Sequence, residues 1–380
     1  MKKNYLLPLL FLAAVFTFQS CSNSDDTDYE PVSPVVLDVT QVPYAKLSDY
    51  RFFEGEMKNL EPAFRVIPYK PNSELFTDYA KKKRFIWMPA DVAANYVADD
   101  KPMDFPVGTV LIKNFYYDDV LPSHTMKIIE TRLLVKTHEP IAENGSIAAD
   151  SGWKFYEYIW NDEQTEAFYD AGGNTQQVPI SFVENGVTKT TDYVIPSQEQ
   201  CNTCHKVNPN QTALGEIKIP IGVKPQNLNF DFDYGGSQQN QLAKWQSVGY
   251  LSGTLPGSIN STVDWKDTSK PLELRARSYI DANCAHCHQD GGQCAYVPMR
   301  FGFSTTDPYL IGICMEPLSQ ISDTYTHIIS KGNFNRSDIG YRMSATSGPE
   351  VMPQIGRTLK HDEGVALIQQ WINSMDGSCD

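Results

Sequence analysis

DYVIPSQEQCNTCH, residues 192–205, is the stretch on which the reading of this 380-residue chain turns. Its opening residues end a β-patterned run and Pro196 interrupts it. Ser197, with Gln200 three positions on, then forms a capping box that opens a short helix. Upstream, GTVLIKNFYY (108–117), MKIIETRLLVKTH (126–138) and WKFYEYIW (153–160) are rich in β-branched and aromatic residues, which predicts strands. Within the second, Met126, Ile128, Glu130, Arg132 and Leu134 share one face, and Lys127, Ile129, Thr131 and Leu133 share the other. Neither face is purely apolar, so the alternation is moderate. Asn185-Gly186, between VPISFV and TKTTDYVI, predicts a hairpin turn.

Downstream the pattern changes. Residues 206–268 are Asn-, Gln- and Gly-rich and read as helices joined by loops. Pro271 opens a helix with Leu272, Ala276, Tyr279 and Ile280 on one side. Asp362 and Glu363 stand in the first turn of a last helix whose Leu367, Ile368, Trp371, Ile372 and Met375 form a stripe. The expected fold is multi-domain α+β. A β-rich domain at 46–196 precedes a mainly α-helical region at 197–380, with its second subdomain at about 270–376.

Formal charge is −14, from 32 Lys+Arg against 46 Asp+Glu, a balance that repels phosphate backbones and excludes non-specific nucleic-acid binding. Residues 1–20 read as an export signal: Lys2 and Lys3 precede an apolar run from Tyr5 to Phe18, too short to span a bilayer. Ser20-Cys21 after that run resembles a bacterial lipoprotein cleavage site, with Cys21 the lipidated residue. An acidic, Pro-containing and flexible tether over 21–45 is expected to follow. The expected location is the outer membrane, held by the lipid anchor and facing the periplasm or the cell surface. Ser and Asp just after Cys21 resemble the surface-export signal of Bacteroidetes lipoproteins.

The chemistry lies in two motifs, Cys201-Asn202-Thr203-Cys204-His205 and Cys284-Ala285-His286-Cys287-His288. Both fit the haem c attachment pattern, in which two thiols add across the vinyl groups and the adjacent His supplies the proximal nitrogen. Random placement of 8 Cys and 7 His in 380 positions gives roughly 0.003 such motifs. A zinc site built from both Cys pairs is the competing reading, but 79 residues separate Cys204 from Cys284 and the following His goes unexplained. Redox-active CxxC disulfides lack a βαβ context. The cofactors expected are therefore two covalently attached haems c.

For the second haem, a distal ligand is expected on a loop before the last helix. Met352, 64 residues after His288 and followed by Pro353, fits that place, with Met343 as the alternative. The first differs, because no Met or His lies between His205 and Cys284. Its distal ligand must come from elsewhere, with His124 the first choice ahead of His138, His327, Met57, Met88, Met103, Met126 and Met343; otherwise the iron is open or takes a weak ligand such as Lys or Tyr. His286 is expected to face solvent and His361 to decorate the last helix. Two of Cys294, Cys314 and Cys379 should pair in an oxidising compartment.

ARSYIDANCAHCH, VMPQIG and GVALIQQWI together resemble a class I-type cytochrome c. The whole chain resembles a family of exported dihaem c-type cytochromes, largely uncharacterised. The resemblance rests also on LFTDYAKKKRF (75–85), GTVLIKNFYY, ETRLLVK (130–136), YIWNDEQTEA (158–167) and the IPSxxQCxxCH motif (195–205). WMPAD (87–91) departs from the Leu-Pro expected there. The resemblance implies haem binding and electron transfer, so the expected partner is a redox protein, and the acidic charge balance favours a basic docking surface on it. The rivals are a haem enzyme of the dihaem peroxidase or oxidase kind with an open first iron, and a binding module with accessory haems.

Overall fold

The β-branched and aromatic runs upstream of Pro196 build an eight-stranded antiparallel sheet. Its strands are β1 (Ile67–Tyr69), β2 (Lys81–Trp87), β3 (Val110–Val120), β4 (Thr125–Lys136), β5 (Trp153–Trp160), β6 (Ala167–Tyr169), β7 (Gln176–Glu184) and β8 (Val187–Ile195). They run in the order β8-β7-β3-β4-β5-β6, with β2 beside β3 over 110–116 and β1 beside β2. The computed structural model describes residues 32–141, 150–170, 172, 176–208 and 216–379. The expected signal peptide, Cys21 and the first part of the tether lie outside them.

Each side of the sheet meets a different partner. Phe85, Val110, Ile112, Leu133, Val135 and Tyr158 form one core with Leu47, Tyr50, Phe52 and Leu60. Val35, Leu37, Val42 and Tyr44 pack on the same core, so the described end of the expected tether is held against it. The other side carries Ile86, Leu111, Leu134 and Phe155, packed on Leu228, Leu242 and Trp245. Phe115 faces Glu130 while Tyr116 faces Ile128, leaving Ile129 as the extra residue of a bulge. Ile128 joins the first core while Ile129 packs with Phe115 and Phe182, which is why the alternation along β4 is only moderate. The β7–β8 hairpin turns through Asn185-Gly186, both at positive φ (52° and 78°), as its sequence predicts.

The expectation of a mainly α-helical region after residue 197 is corrected. The described residues hold six α-helices: α1 (Gln198–His205), α2 (Pro225–Leu228), α3 (Gln241–Ser247), α4 (Leu272–Ile280), α5 (Asp338–Ser344) and α6 (Asp362–Asn373). Strand outweighs helix, 27% against 19%, and α6 is the longest at 12 residues. The connections explain the shortfall. The 289–337 stretch is rich in Gly, Pro, Asp and Ser, and its backbone is satisfied by separate turn bonds, such as Ala295 to Gly292 and Thr305 to Gly302, and by side chains such as Asp307 and Arg300. α4 and α6 form a further core with Trp265, Ile311 and Ile328. Cys314 pairs with Cys379, one of the pairings left open by the sequence. Residues 34–380 form one compact unit.

Candidate functional site

α1 starts where β8 ends. Ser197 Oγ accepts from the Gln200 amide (3.2 Å) and Gln200 Oε1 accepts from the Ser197 amide (2.9 Å), the capping box read from the sequence. The helix places Cys201, Cys204 and His205 on the wall of a cavity of about 450 Å³. That volume lies within the ~300–1,000 Å³ range of cofactor and small-molecule clefts. The β5 residue Phe155 stands against the His205 ring at 4.8 Å.

His205 is prepared to ligate. Its Nδ1 lies 3.0 Å from the Ile219 carbonyl oxygen, so the proton belongs on Nδ1 and the Nε2 lone pair is left free. Burial pushes its pKa down to about 4, so the ring is neutral at neutral pH, as a ligand must be. Burial pushes the Cys201 thiol the other way, up to about 11.

The second motif is arranged differently. After α4 the chain makes a π-turn, Asp281–Ala285, that separates its donors. Cys284 lines a small cavity of about 20 Å³ together with Met343, Met352 and Arg357. Arg357 donates to the Met352 carbonyl at 2.8 Å, which pins the Met352 loop. Cys287 and His288 do not line that cavity. His288 packs on Phe301 at 5.0 Å, its buried Nδ1 without a partner among the described residues. Cys287 lies instead beside Cys204.

His286 was expected to face solvent, and the π-turn carries it inward. It is 9% exposed and lines the larger cavity, its Nδ1 unpartnered among the described residues. One ligand atom each from Cys204, His286 and Cys287 lie within 4.8 Å of one another. The Cys204–Cys287 thiol contact is the first cause lowering Cys204, and it raises Cys287. The motifs also meet through backbone: the Asn208 amide donates to the Gly291 carbonyl at 2.6 Å, three residues past each motif's final His.

None of the His and Met candidates named for the first motif reaches its cavity. His124 is exposed at the β3–β4 turn, its Nδ1 2.7 Å from Asp119 Oδ1. His138 bonds Glu139 O, and His327 bonds Thr326. Met88 and Met103 are buried in the sheet core that faces α3, and Met57 and Met126 pack in the core on the opposite face.

The haem expectation is thus tested site by site. At the first motif the residues fit the group: two thiols and a correctly tautomerised imidazole border a cofactor-sized cavity. At the second the donor types are present, but the cavity holds about one water, not a macrocycle, and two donors stand outside it. Comparison with protein families, with curated proteins and with solved structures finds no match.

Proposed function

We propose that the chain is an exported dihaem c-type cytochrome that transfers single electrons outside the cytoplasm. The observation that carries this reading is the cavity wall of Cys201, Cys204 and His205, with the His205 proton committed to Ile219. Cys201 and Cys204 would hold the first haem covalently and His205 would ligate its iron. The bound group supplies a one-electron couple. Phe155 and Ile219 fix the imidazole plane. A second attachment, at Cys284, Cys287 and His288 with Met352, would rest on the motif alone. The Cys284 cavity does not fit a macrocycle, so no step is routed through it.

Export by the N-terminal signal, anchoring through Cys21 at the outer membrane and docking of a basic redox partner complete the proposal. Because the surface is acidic, association with that partner should weaken as salt rises. No helix among the described residues is long and apolar enough to cross a membrane.

A second reading has its own observation. Cys204, His286 and Cys287 form a three-donor group of the kind that holds zinc with a fourth ligand. The haem-enzyme alternative rests on the first cavity, whose described lining offers no Met opposite His205.

One preparation separates these readings: the mature protein made with haem c maturation machinery, examined by pyridine haemochrome, metal analysis, EPR and CO binding. Two low-spin haems unreactive to CO are the expected result, with His286, the imidazole that lines the first cavity, as the group that would complete the first iron. One haem would retain the first site and remove the second. A high-spin, CO-binding iron would move the assignment to an enzyme, and zinc without haem would overturn it.

A further inference from the structure

The sheet places an unusual row of charges beneath the first cavity. Arg84 on β2 faces Lys113 on β3, Lys113 faces Arg132 on β4, and Arg132 faces Glu157 on β5, all in cross-strand register. All four line the cavity that Cys201, Cys204 and His205 border. Like charges directly opposite one another destabilise a sheet, so three adjacent cations need a reason beyond folding.

Counting charge along the row shows what is missing. Arg84 is paired with Glu74 at 3.0 Å, and Arg132 donates to both oxygens of Glu130 at 2.5 and 2.8 Å. Glu157 offers Lys113 little, because burial and then Glu130 push its carboxyl strongly up and keep it protonated. No carboxylate of a described residue lies within ion-pair distance of Lys113. Its Nζ sits 4.6 Å over the Phe115 ring, which it shares with the Arg132 guanidinium at 4.3 Å. Burial, and then the two flanking guanidiniums, push the amine well below its ordinary value, so Lys113 carries its charge only with an anion beside it. Arg132 also lies 3.5 Å from Glu157, so Lys113 is the cation of the row left without a carboxylate partner, on a wall that carries Asp100, Asp170, Asp281 and Asp290 elsewhere.

We infer that Arg84, Lys113 and Arg132 form a carboxylate-binding floor that takes the two propionates of the haem held by Cys201, Cys204 and His205. This rests on the dihaem reading and gives the β-sheet its part in it. Cys201, Cys204 and His205 on α1 would hold the cofactor, and the sheet would supply the counter-charge. Guanidinium and ammonium groups on neighbouring strands suit a pair of carboxylates, the Arg groups by paired donors and Lys113 as a point charge.

The test uses the holoprotein. Because the haem is bound through Cys201 and Cys204, Lys113→Met should leave the haem count and the spin states as in the wild type. It should lower one of the two midpoint potentials, since losing a cation beside the macrocycle favours the ferric form, and leave the other in place. Lys113→Arg, which keeps the charge, should keep the potential. If Lys113→Met accumulates poorly, Lys113→Gln reads the same quantity. Two unmoved potentials in the neutral variants would overturn the inference. So would a new high-spin, CO-binding population, which would make Lys113 an axial ligand instead. A wild-type protein without haem would sink the dihaem reading itself, an outcome distinct from haems present and potentials unmoved.

Discussion

His361, expected to decorate the last helix, is a half-buried and pH-sensitive group. Its ring stacks on Phe76 at 4.1 Å and 8°, and its Nδ1 lies 2.9 Å from the Tyr279 hydroxyl. Burial lowers its pKa to about 4 from an ordinary 6.5, against the opposing pull of Glu363. The folded state therefore resists a proton that the unfolded chain accepts. This stability is complete above pH 6.5 and lost as pH falls toward 4, a total of about 3 kcal/mol. His361→Gln keeps a hydrogen-bonding group and removes the titration. Urea denaturation of the holoprotein between pH 7 and 4 should then show a slope smaller by one proton than the wild type. Equal slopes would show that His361 is not the group responsible. The row at Arg84, Lys113 and Arg132 was hidden from the sequence for a related reason: at period two, an inward charge looks the same as a solvated one.

At the scale of elements, local signals were legible and their rotation was not. The Asn185-Gly186 hairpin, the Ser197/Gln200 capping box and the α6 stripe all follow from contacts within a few residues. The bulge at Ile129 and the π-turn at Asp281–Ala285 each insert a backbone irregularity with no composition signal, and each turns a side chain to a different face. That is how Ile128 entered the first core and His286 the cavity. The helical content after residue 197 was overread because short apolar spacings recur there without the length to nucleate long helices. Gly291 is where the two motif segments meet. It sits at φ +70°, and a Cβ there would stand 2.5 Å from the Asn208 carbonyl oxygen, a backbone atom with little room to yield. Gly291→Ala should cost ~1–3 kcal/mol in strain and separation of these segments, read as a lower denaturation midpoint. A midpoint equal to the wild type would mean that the Asn208–Gly291 contact does not hold the motifs together.

Across the whole molecule, the sheet and the residues after 197 are joined by contacts hundreds of positions apart, which no local pattern encodes. Asp78 is the clearest. It is 1% exposed, and its carboxylate accepts from the Thr358 amide at 2.7 Å, the Leu359 amide at 2.8 Å, and the Thr358 and Thr191 hydroxyls at 2.9 and 3.2 Å. One side chain thus ties the segment before β2 to the loop that runs from Met352 into α6, with β8 as a third point. Hydrogen bonds to a charged group are worth ~1.5–3 kcal/mol, and removing the acceptor leaves buried amides unsatisfied. Asp78 also sits at φ +48°, a conformation that Asp and Asn tolerate better than Ala. Asp78→Ala should therefore lose ~3 kcal/mol or more, from lost bonds and strain together. Asp78→Asn keeps the conformation and one acceptor oxygen and should lose about half as much. Urea denaturation followed by circular dichroism and tryptophan fluorescence checks both. It should give coincident transitions in the wild type, because the two halves share this buried link. If the wild-type sheet and the α4–α6 core unfolded at separate midpoints, the Asp78 cluster would not be coupling them, and the ordering of the two variants would lose its basis.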